Sequence, residues 1–337
     1  MPPAFSEVKQ TLKPALEAVE QTRLDQRNKL RKRMWLLASV AIGNAFLLIL
    51  GTGWIVLGIL LLLGVLAYTW LFWSNSKESY TLQFKQTVVV GLAEALLHKT
   101  GAYKKVDFEY TPDGHVDFDL IQRSRLLPKD AVIARGEDLF KGRIQDAAIQ
   151  FSELTLVSYI DDGETGTKSK VRHFKGIGFI ASVEPSFEGV TILQSHNAAS
   201  RSKLARGFRK LSYLLPSVSL GVNQELAMED PTFNETFVTR TSNEAEARAL
   251  LTPGRMSELV RFRDKHNGRV DISFFDTHVC LLLGSSKNYF EAPLHREADS
   301  EHLHQLYEDI CFFFSIASEL GLDRRSHPPG TAPASVV

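Results

Sequence analysis

Residues 36–73 read LLASVAIGNAFLLILGTGWIVLGILLLLGVLAYTWLFW, 38 residues without one charged side chain, broken near the middle by Gly51-Thr52-Gly53. A single helix of that length would run about 57 Å at ~1.5 Å per residue, nearly twice the ~30 Å hydrocarbon core of a bilayer. Two spans are therefore expected, residues 35–50 and 54–73, folded back at the two glycines, which reach the positive φ that a tight reversal needs. Each central Leu, Ile, Phe or Val favours insertion by about 0.3–0.6 kcal/mol, and a helix satisfies its own backbone. Trp35, Trp54, Trp70 and Trp73 fall where headgroup belts would lie. The pattern does not fit a secretory signal, whose apolar region is shorter, and no small-x-small cleavage site follows Trp73. Asn44 is expected to hydrogen-bond across the hairpin or to another subunit rather than to line an ion path, because no ionisable residue accompanies it.

Charge then sets the direction. Arg23, Arg27, Lys29, Arg31, Lys32 and Arg33 stand before the apolar stretch against Asp25 alone, whereas the Gly-Thr-Gly connection is uncharged. The positive-inside rule keeps the basic flank in the cytoplasm, and a two-span hairpin returns the chain to the same side. Both termini and everything after Trp73 are expected there. Arg27, Lys29, Arg31, Lys32 and Arg33 are the first candidate membrane-surface contacts, each base near an anionic leaflet contributing about 1 kcal/mol.

Eight of the 39 basic and four of the 39 acidic residues lie before Met34 and none of either from Met34 to Trp73, so the chain from Ser74 onward carries 31 bases against 35 acids. A mildly acidic body of that kind argues against general nucleic-acid binding. Cys280 and Cys311, each in an apolar run and without paired spacing, read as reduced core residues.

In chain order, residues 1–33 place Phe5, Val8, Leu12, Leu16 and Val19 at helical spacing, with Pro14 expected to open a second helical segment. That stripe could lie on the membrane, pack on the following domain or pair with another copy. A polar bridge after Trp73 leads to a helix ending near Gly101, and residues 103–121 alternate around Pro112-Asp113-Gly114 as a β-hairpin would. Asp107, Glu109, Asp117 and Asp119 would then share one face, expected to be solvated. Strands are expected at 144–151 and 154–160, turning at Ser152-Glu153, and at 171–182 and 189–193: an antiparallel meander. Further on come a strand at 233–239, helices at 242–251 and from Pro253 to Gly268, a hairpin at 270–283 around Asp276-Thr277, and a helix at 299–320. The fold class is α+β: a two-helix transmembrane hairpin followed by a cytoplasmic domain of antiparallel β-meander with packed helices. Its expected parts are an amphipathic basic segment (1–33), the hairpin (34–73), a β-rich subdomain (80–200), a basic linker (201–224), an α+β subdomain (225–322) and a Pro-containing tail (323–337). In the linker, Arg201, Lys203, Arg206, Arg209 and Lys210 surround Leu204 and Phe208 and are the second candidate membrane contact.

The blocks SRLLPKDAVIARGEDLFKGRIQDAAIQFSEL (124–154), FKGIGF (174–179), FEGVTIL (187–193) and LAMEDPTFNETFVTRTSNEAEARALLTPGRMSELVRF (226–262) resemble the bacterial domain-of-unknown-function 3137 family. The resemblance covers most of residues 20–322. It implies a membrane-anchored bacterial protein without an assigned activity, placed in the cytoplasmic (inner) membrane, and carries no catalytic residue to any position here.

The sequence itself offers little chemistry. His295, His302 and His304 near Glu291, Glu297, Asp299 and Glu301 form the densest His-carboxylate stretch, but His302 and His304 lack the i, i+4 spacing of a helical zinc pair. Ser195-His196 is adjacency in sequence, not evidence of a nucleophile and its base. No catalytic, metal or cofactor residue is expected. The favoured function is a membrane-anchored cytoplasmic interaction or regulatory module, whose partners are the bilayer and a protein in the membrane or cytoplasm. An anionic-lipid-binding peripheral domain and a membrane-bound hydrolase with an unfamiliar site are the alternatives.

Overall fold

The computed structural model describes residues 4–50, 55–99, 108–144, 147–161, 168–184, 186–196, 224–266, 268–293 and 298–320. The chain divides into two compact units, Met1–Lys99 with Phe290–Glu308, and Thr100–Tyr289 with Asp309–Val337.

The first unit is helical. Helix α1 (Phe5–Leu50) packs antiparallel on α2 (Ile55–Phe84), which continues through a π-helical turn (Lys85–Val89) into α3 (Val90–Lys99). The register is read from Arg33 over the rings of Phe72 and Tyr68, Arg23 within electrostatic reach of Tyr80, and Leu12 against Gly91. One number falls as the other rises, as two antiparallel helices of equal rise require. At Gly91 any Cβ would meet the Leu12 Cδ2 at 2.6 Å, so a side chain there would push the helices apart. Val8, Leu12 and Val19 are buried, so the N-terminal stripe packs inside this unit. Two expected boundaries are absent. Pro14 lies within one continuous helix with its ring exposed, and the polar bridge after Trp73 is helical. Residues 74–79 contain neither Pro nor Gly to stop α2, and Tyr80 and Phe84 just beyond them are buried.

The second unit is built on one nine-stranded antiparallel sheet: β1 (Phe108–Thr111), β2 (Val132–Ile144), β3 (Ala147–Asp161), β4 (Lys168–Ser182), β5 (Val190–Ser195), β6 (Gln224–Leu226), β7 (Phe237–Thr241), β8 (Val270–Phe275) and β9 (His278–Gly284). The order is β1-β2-β3-β4-β9-β8-β5-β7-β6. Of the expected meander the pairing of 154–160 with 171–182 holds, within β3 and β4, whereas 144–151 and 154–160 are one strand whose other neighbour is β2. The β8–β9 hairpin then inserts between β4 and β5, so strands from residues 80–200 and 225–322 share a single sheet. The turn expected at Ser152-Glu153 is instead the middle of β3, where the Ser152 hydroxyl accepts from Val116 N and the Glu153 carboxylate from Tyr289 N. Likewise residues 233–236, expected in a strand, belong to helix α5 (Pro231–Thr236), because Asp230 caps it and Pro231 stands at its first turn; α4 (Phe118–Arg123) lies earlier in the chain. Helices α6 (Glu244–Leu250), α7 (Pro253–His266) and α8 (Ser300–Glu319) match expectation.

Both faces of the sheet are covered. One holds a cluster of Val116, Ile121, Leu126, Leu154, Leu156, Phe174, Ile180, Ile192, Phe275, Cys280 and Leu282. On the other, Phe151 stacks between Phe140 (4.8 Å) and Phe313 of α8 (5.0 Å). Strand β8 is buried at every residue for this reason, and β9 at all but its ends. Gly176 of β4 admits no side chain: at φ +149° its Cβ would lie 2.1 Å from the Leu283 carbonyl oxygen.

Candidate functional site

The surface of the first unit changes character at Arg33. On the α1 side that precedes it, Arg27, Lys29, Arg31 and Lys32 are exposed, with Lys29 paired to Asp25 at 2.6 Å. Arg33 is half-buried because its guanidinium lies 3.3 Å from the Phe72 ring centroid and 4.8 Å from that of Tyr68. Beyond it the exposed side chains are large and apolar: Met34, Trp35 (73% exposed), Leu36 and Ile42 (71%) on α1, and Val56, Ile59, Leu60, Leu61, Leu63 and Leu66 among others on α2. Two hydroxyls in this stretch are satisfied within their own helices, Ser39 donating to Leu36 O at 2.8 Å and Thr69 to Val65 O at 2.7 Å. Lone exposed leucines are ordinary on a soluble protein, whereas a continuous apolar band of this kind marks a surface that meets something other than water. Among the described residues one helical stretch, Gly58–Leu96, is long and apolar enough, by length and composition, to cross a membrane.

The second set of sequence-read bases, Arg201, Lys203, Arg206, Arg209 and Lys210, lies outside the described residues, as do Asp107, His295 and Glu297. The acidic hairpin does not form. Strand β1, with Glu109, pairs with β2, while Asp117 is the N-cap of α4 and accepts from Asp119 N at 2.9 Å. The alternation of residues 115–119 looked like a strand because a cap followed by a short amphipathic turn also spaces its apolar side chains two or three apart. His302 meets the Phe84 ring and His304 pairs with Glu308 at 3.2 Å. No group of three or more His, Cys, Asp or Glu able to hold a metal occurs among the described residues. Ser195 Oγ accepts from Val270 N at 2.8 Å and the His196 carbonyl from Arg263 at 3.3 Å, so both tie down the end of an interior strand. Cys280 is buried, and that burial pushes its thiol up to about 12, which leaves it protonated.

Two features escaped sequence reasoning. One is an open cleft of ≈ 270 Å³ in the second unit, lined by Gln122, Arg123, Arg125, Lys129, Val190, Phe275 and Asp276, with Arg123 paired to Asp276 at 2.6 Å. Its residues are separated by up to 154 positions, from Gln122 to Asp276, so no local pattern could announce it. The other is Glu319, at the end of α8. Burial alone would raise its pKa, but His266 nearby (Nε2 at 3.7 Å) and hydrogen bonds from Lys265 (2.6 Å) and Ser315 (2.8 Å) hold it down at about 2. The folded value lies below the ordinary 4.5, so the stabilisation is complete above about pH 4.5 and is lost as the pH falls toward 2. Glu319→Gln should remove about 1 kcal/mol at neutral pH, the full shift being discounted for a partly exposed carboxylate, and less near pH 3, as measured by denaturation of the detergent-solubilised chain.

A family model described as "Protein of unknown function (DUF3137)" matches residues 172–322, the stretch from the middle of β4 to just past α8. No curated protein and no solved structure matches the chain.

Proposed function

We propose, for a chain whose residues 172–322 belong to the DUF3137 family of proteins of unknown function, that α1 and α2 anchor it in a bilayer as a two-span hairpin, both termini cytoplasmic, and that the sheet unit serves there as an interaction or regulatory module. The observation that carries this is the band of exposed apolar side chains that begins at Met34 and runs along both helices. Lengths support it. From Arg33 to the end of α1 and from the start of α2 to Phe72 are each about 26 Å at 1.5 Å per residue, close to the ~30 Å of hydrocarbon. The Arg33 stack then sits at one interface beside Trp35, Tyr68, Trp70 and Trp73, where aromatic rings and snorkelling bases belong. Beyond that interface α1 continues as a water-facing stalk whose apolar stripe is already buried against α2 and α3.

Topology tests the anchor. Alkaline phosphatase fused after Leu322 should be inactive, and fused at Thr52 active; the opposite pattern would refute the orientation. For the module, crosslinked purification of the detergent-solubilised chain should recover the same protein repeatedly, and a yield of chance contaminants alone would end that reading. A second reading, recognition of anionic lipid, draws on Arg27, Lys29, Arg31 and Lys32, which are exposed directly beside the apolar band and would each add about 1 kcal/mol at a charged leaflet.

A further inference from the structure

Strands β3 and β4 run on past the rest of the sheet as a two-stranded arm. On one side β2 stops at Val132, opposite Val157, and on the other the pairing of β4 with β9 begins only at Gly176, opposite Gly284. Among the described residues, 158–161 and 168–172 therefore pair with each other, Ser158 with Val171, Tyr159 with Lys170 and Ile160 with Ser169. The root of the arm is fixed. The register shifts at Leu156/Val157, His173 Nε2 meets Ser158 Oγ at 2.7 Å, Arg269 Nη1 donates to His173 O at 2.8 Å, and Ser285 N donates to Lys175 O at 3.0 Å. Beyond His173 no described strand covers the outer edge of β4, and all five residues Lys168–Arg172 are exposed. Strand alternation sorts their side chains, with Lys168, Lys170 and Arg172 on one face and Ser169 and Val171 on the other. Asp161 stands opposite Lys168, so the charge of this edge is that of Lys170 and Arg172, which face Tyr159 and Val157 across the arm and are joined to no acid among the described residues. Tyr159 and Ile160 are each more than half exposed, and Ile160 shares the face of Val171. An open sheet edge is a template for a further strand, and its side chains select which. Alternate bases oppose a second copy laid on the same edge, where base would meet base, and suit a strand with acids at alternate positions. The end of the arm has the wrong sign for an anionic leaflet, since its turn begins Asp161-Asp162-Gly163-Glu164.

We propose that the outer edge of β4, residues 168–172, is a docking site for an extended acidic segment of a partner protein, which adds as a strand, sets acids against Lys170 and Arg172 and lays apolar side chains on the Val171 face. The inference rests on the reading of the sheet unit as an interaction module and names its surface. The probe is the synthetic peptide acetyl-SVEVEVES-amide, with acetyl-SVKVKVKS-amide and the proline version acetyl-SVEPEVES-amide as controls. Each is titrated into the full chain in neutral detergent while amide hydrogen exchange is followed at residues 168–174. Exchange there should slow saturably with the Glu peptide, by roughly tenfold at a concentration ~10 times Kd. The Lys peptide should give no protection, and neither should the proline version, which keeps the charge but lacks an N–H for the ladder. Lys170→Glu combined with Arg172→Glu should weaken the Glu peptide about tenfold or more, because two favourable cross-strand pairs become unfavourable, and should admit the Lys peptide instead. Unchanged exchange in β8 and β9 shows that the variant is folded. No protection by the Glu peptide, equal protection by the proline version, or protection that survives the charge reversal overturns the proposal. So does protection of 168–174 that rises with the concentration of the chain alone, which assigns the edge to a second copy. A partner still recovered by crosslinking from the doubly reversed variant leaves the module reading standing and removes this edge from it.

Discussion

Leu63→Arg is expected to cost membrane integration about 3–4 kcal/mol, because it exchanges a side chain favouring insertion by ~0.3–0.6 kcal/mol for one opposing it by ~2.5–3.5. Leu63 is 55% exposed and lies midway in sequence between Trp54 and Trp73, so in the proposed anchor it is far from either interface. An arginine there could not snorkel easily, and the partner helix supplies no acid, since residues 34–50 of α1 contain none. The same substitution separates the two environments by sign. On a helix facing water, an exposed leucine changed to arginine shifts stability by no more than about 0.5 kcal/mol and improves solubility. The check is the fraction of chain resisting alkaline carbonate extraction. A clear fall for Leu63→Arg, with Lys77→Arg unaffected, agrees with a buried-in-lipid α2, and equal extraction of both would sink the anchor.

Phe151→Ala is expected to lower the stability of the sheet unit by about 3–5 kcal/mol. Phe151 is 1% exposed, faces Phe140 and Phe179 across the neighbouring strands, and stacks at small interplanar angles on Phe140 and Phe313. Its loss removes the transfer energy of a phenyl ring, leaves a cavity between strand and helix, and breaks three ring pairs, with Phe140, Phe313 and Phe314, each worth roughly 0.5–1.5 kcal/mol. Against a typical total of 5–15 kcal/mol this would leave the unit marginal. Phe151→Leu refills part of the volume and should cost much less. Denaturation of the detergent-solubilised chain followed by near-ultraviolet circular dichroism reads both; a loss below about 1 kcal/mol for alanine would mean that α8 does not seal this face.

Where sequence reasoning succeeded, the signal was local and strong. The β8–β9 hairpin was legible because two apolar runs flank a two-residue turn at Asp276-Thr277, and α7 because Thr252-Pro253 is a start signal. Where it failed, two local rules competed. Ser152-Glu153 looks like a turn by residue type, yet each polar side chain finds a partner from elsewhere in the chain, and β3 runs through. Asp230 and Asp117 act as caps, so the residues after them leave the extended conformation that their alternation suggested. The polar bridge after Trp73 stays helical because helix formation continues until something stops it.

By itself the sequence determined what is additive along the chain: an uncharged stretch of bilayer length with a basic flank, a mildly acidic remainder, and the short elements that caps and turns punctuate. The tertiary structure alone decided which strand lies beside which, that the C-terminal hairpin enters the middle of the sheet, that Arg33 stacks on Phe72, and that Arg123 meets Asp276. Those outcomes depend on pairings between residues tens to hundreds of positions apart. Such pairings are chosen by the burial of both sheet faces together, a property that no single segment contains.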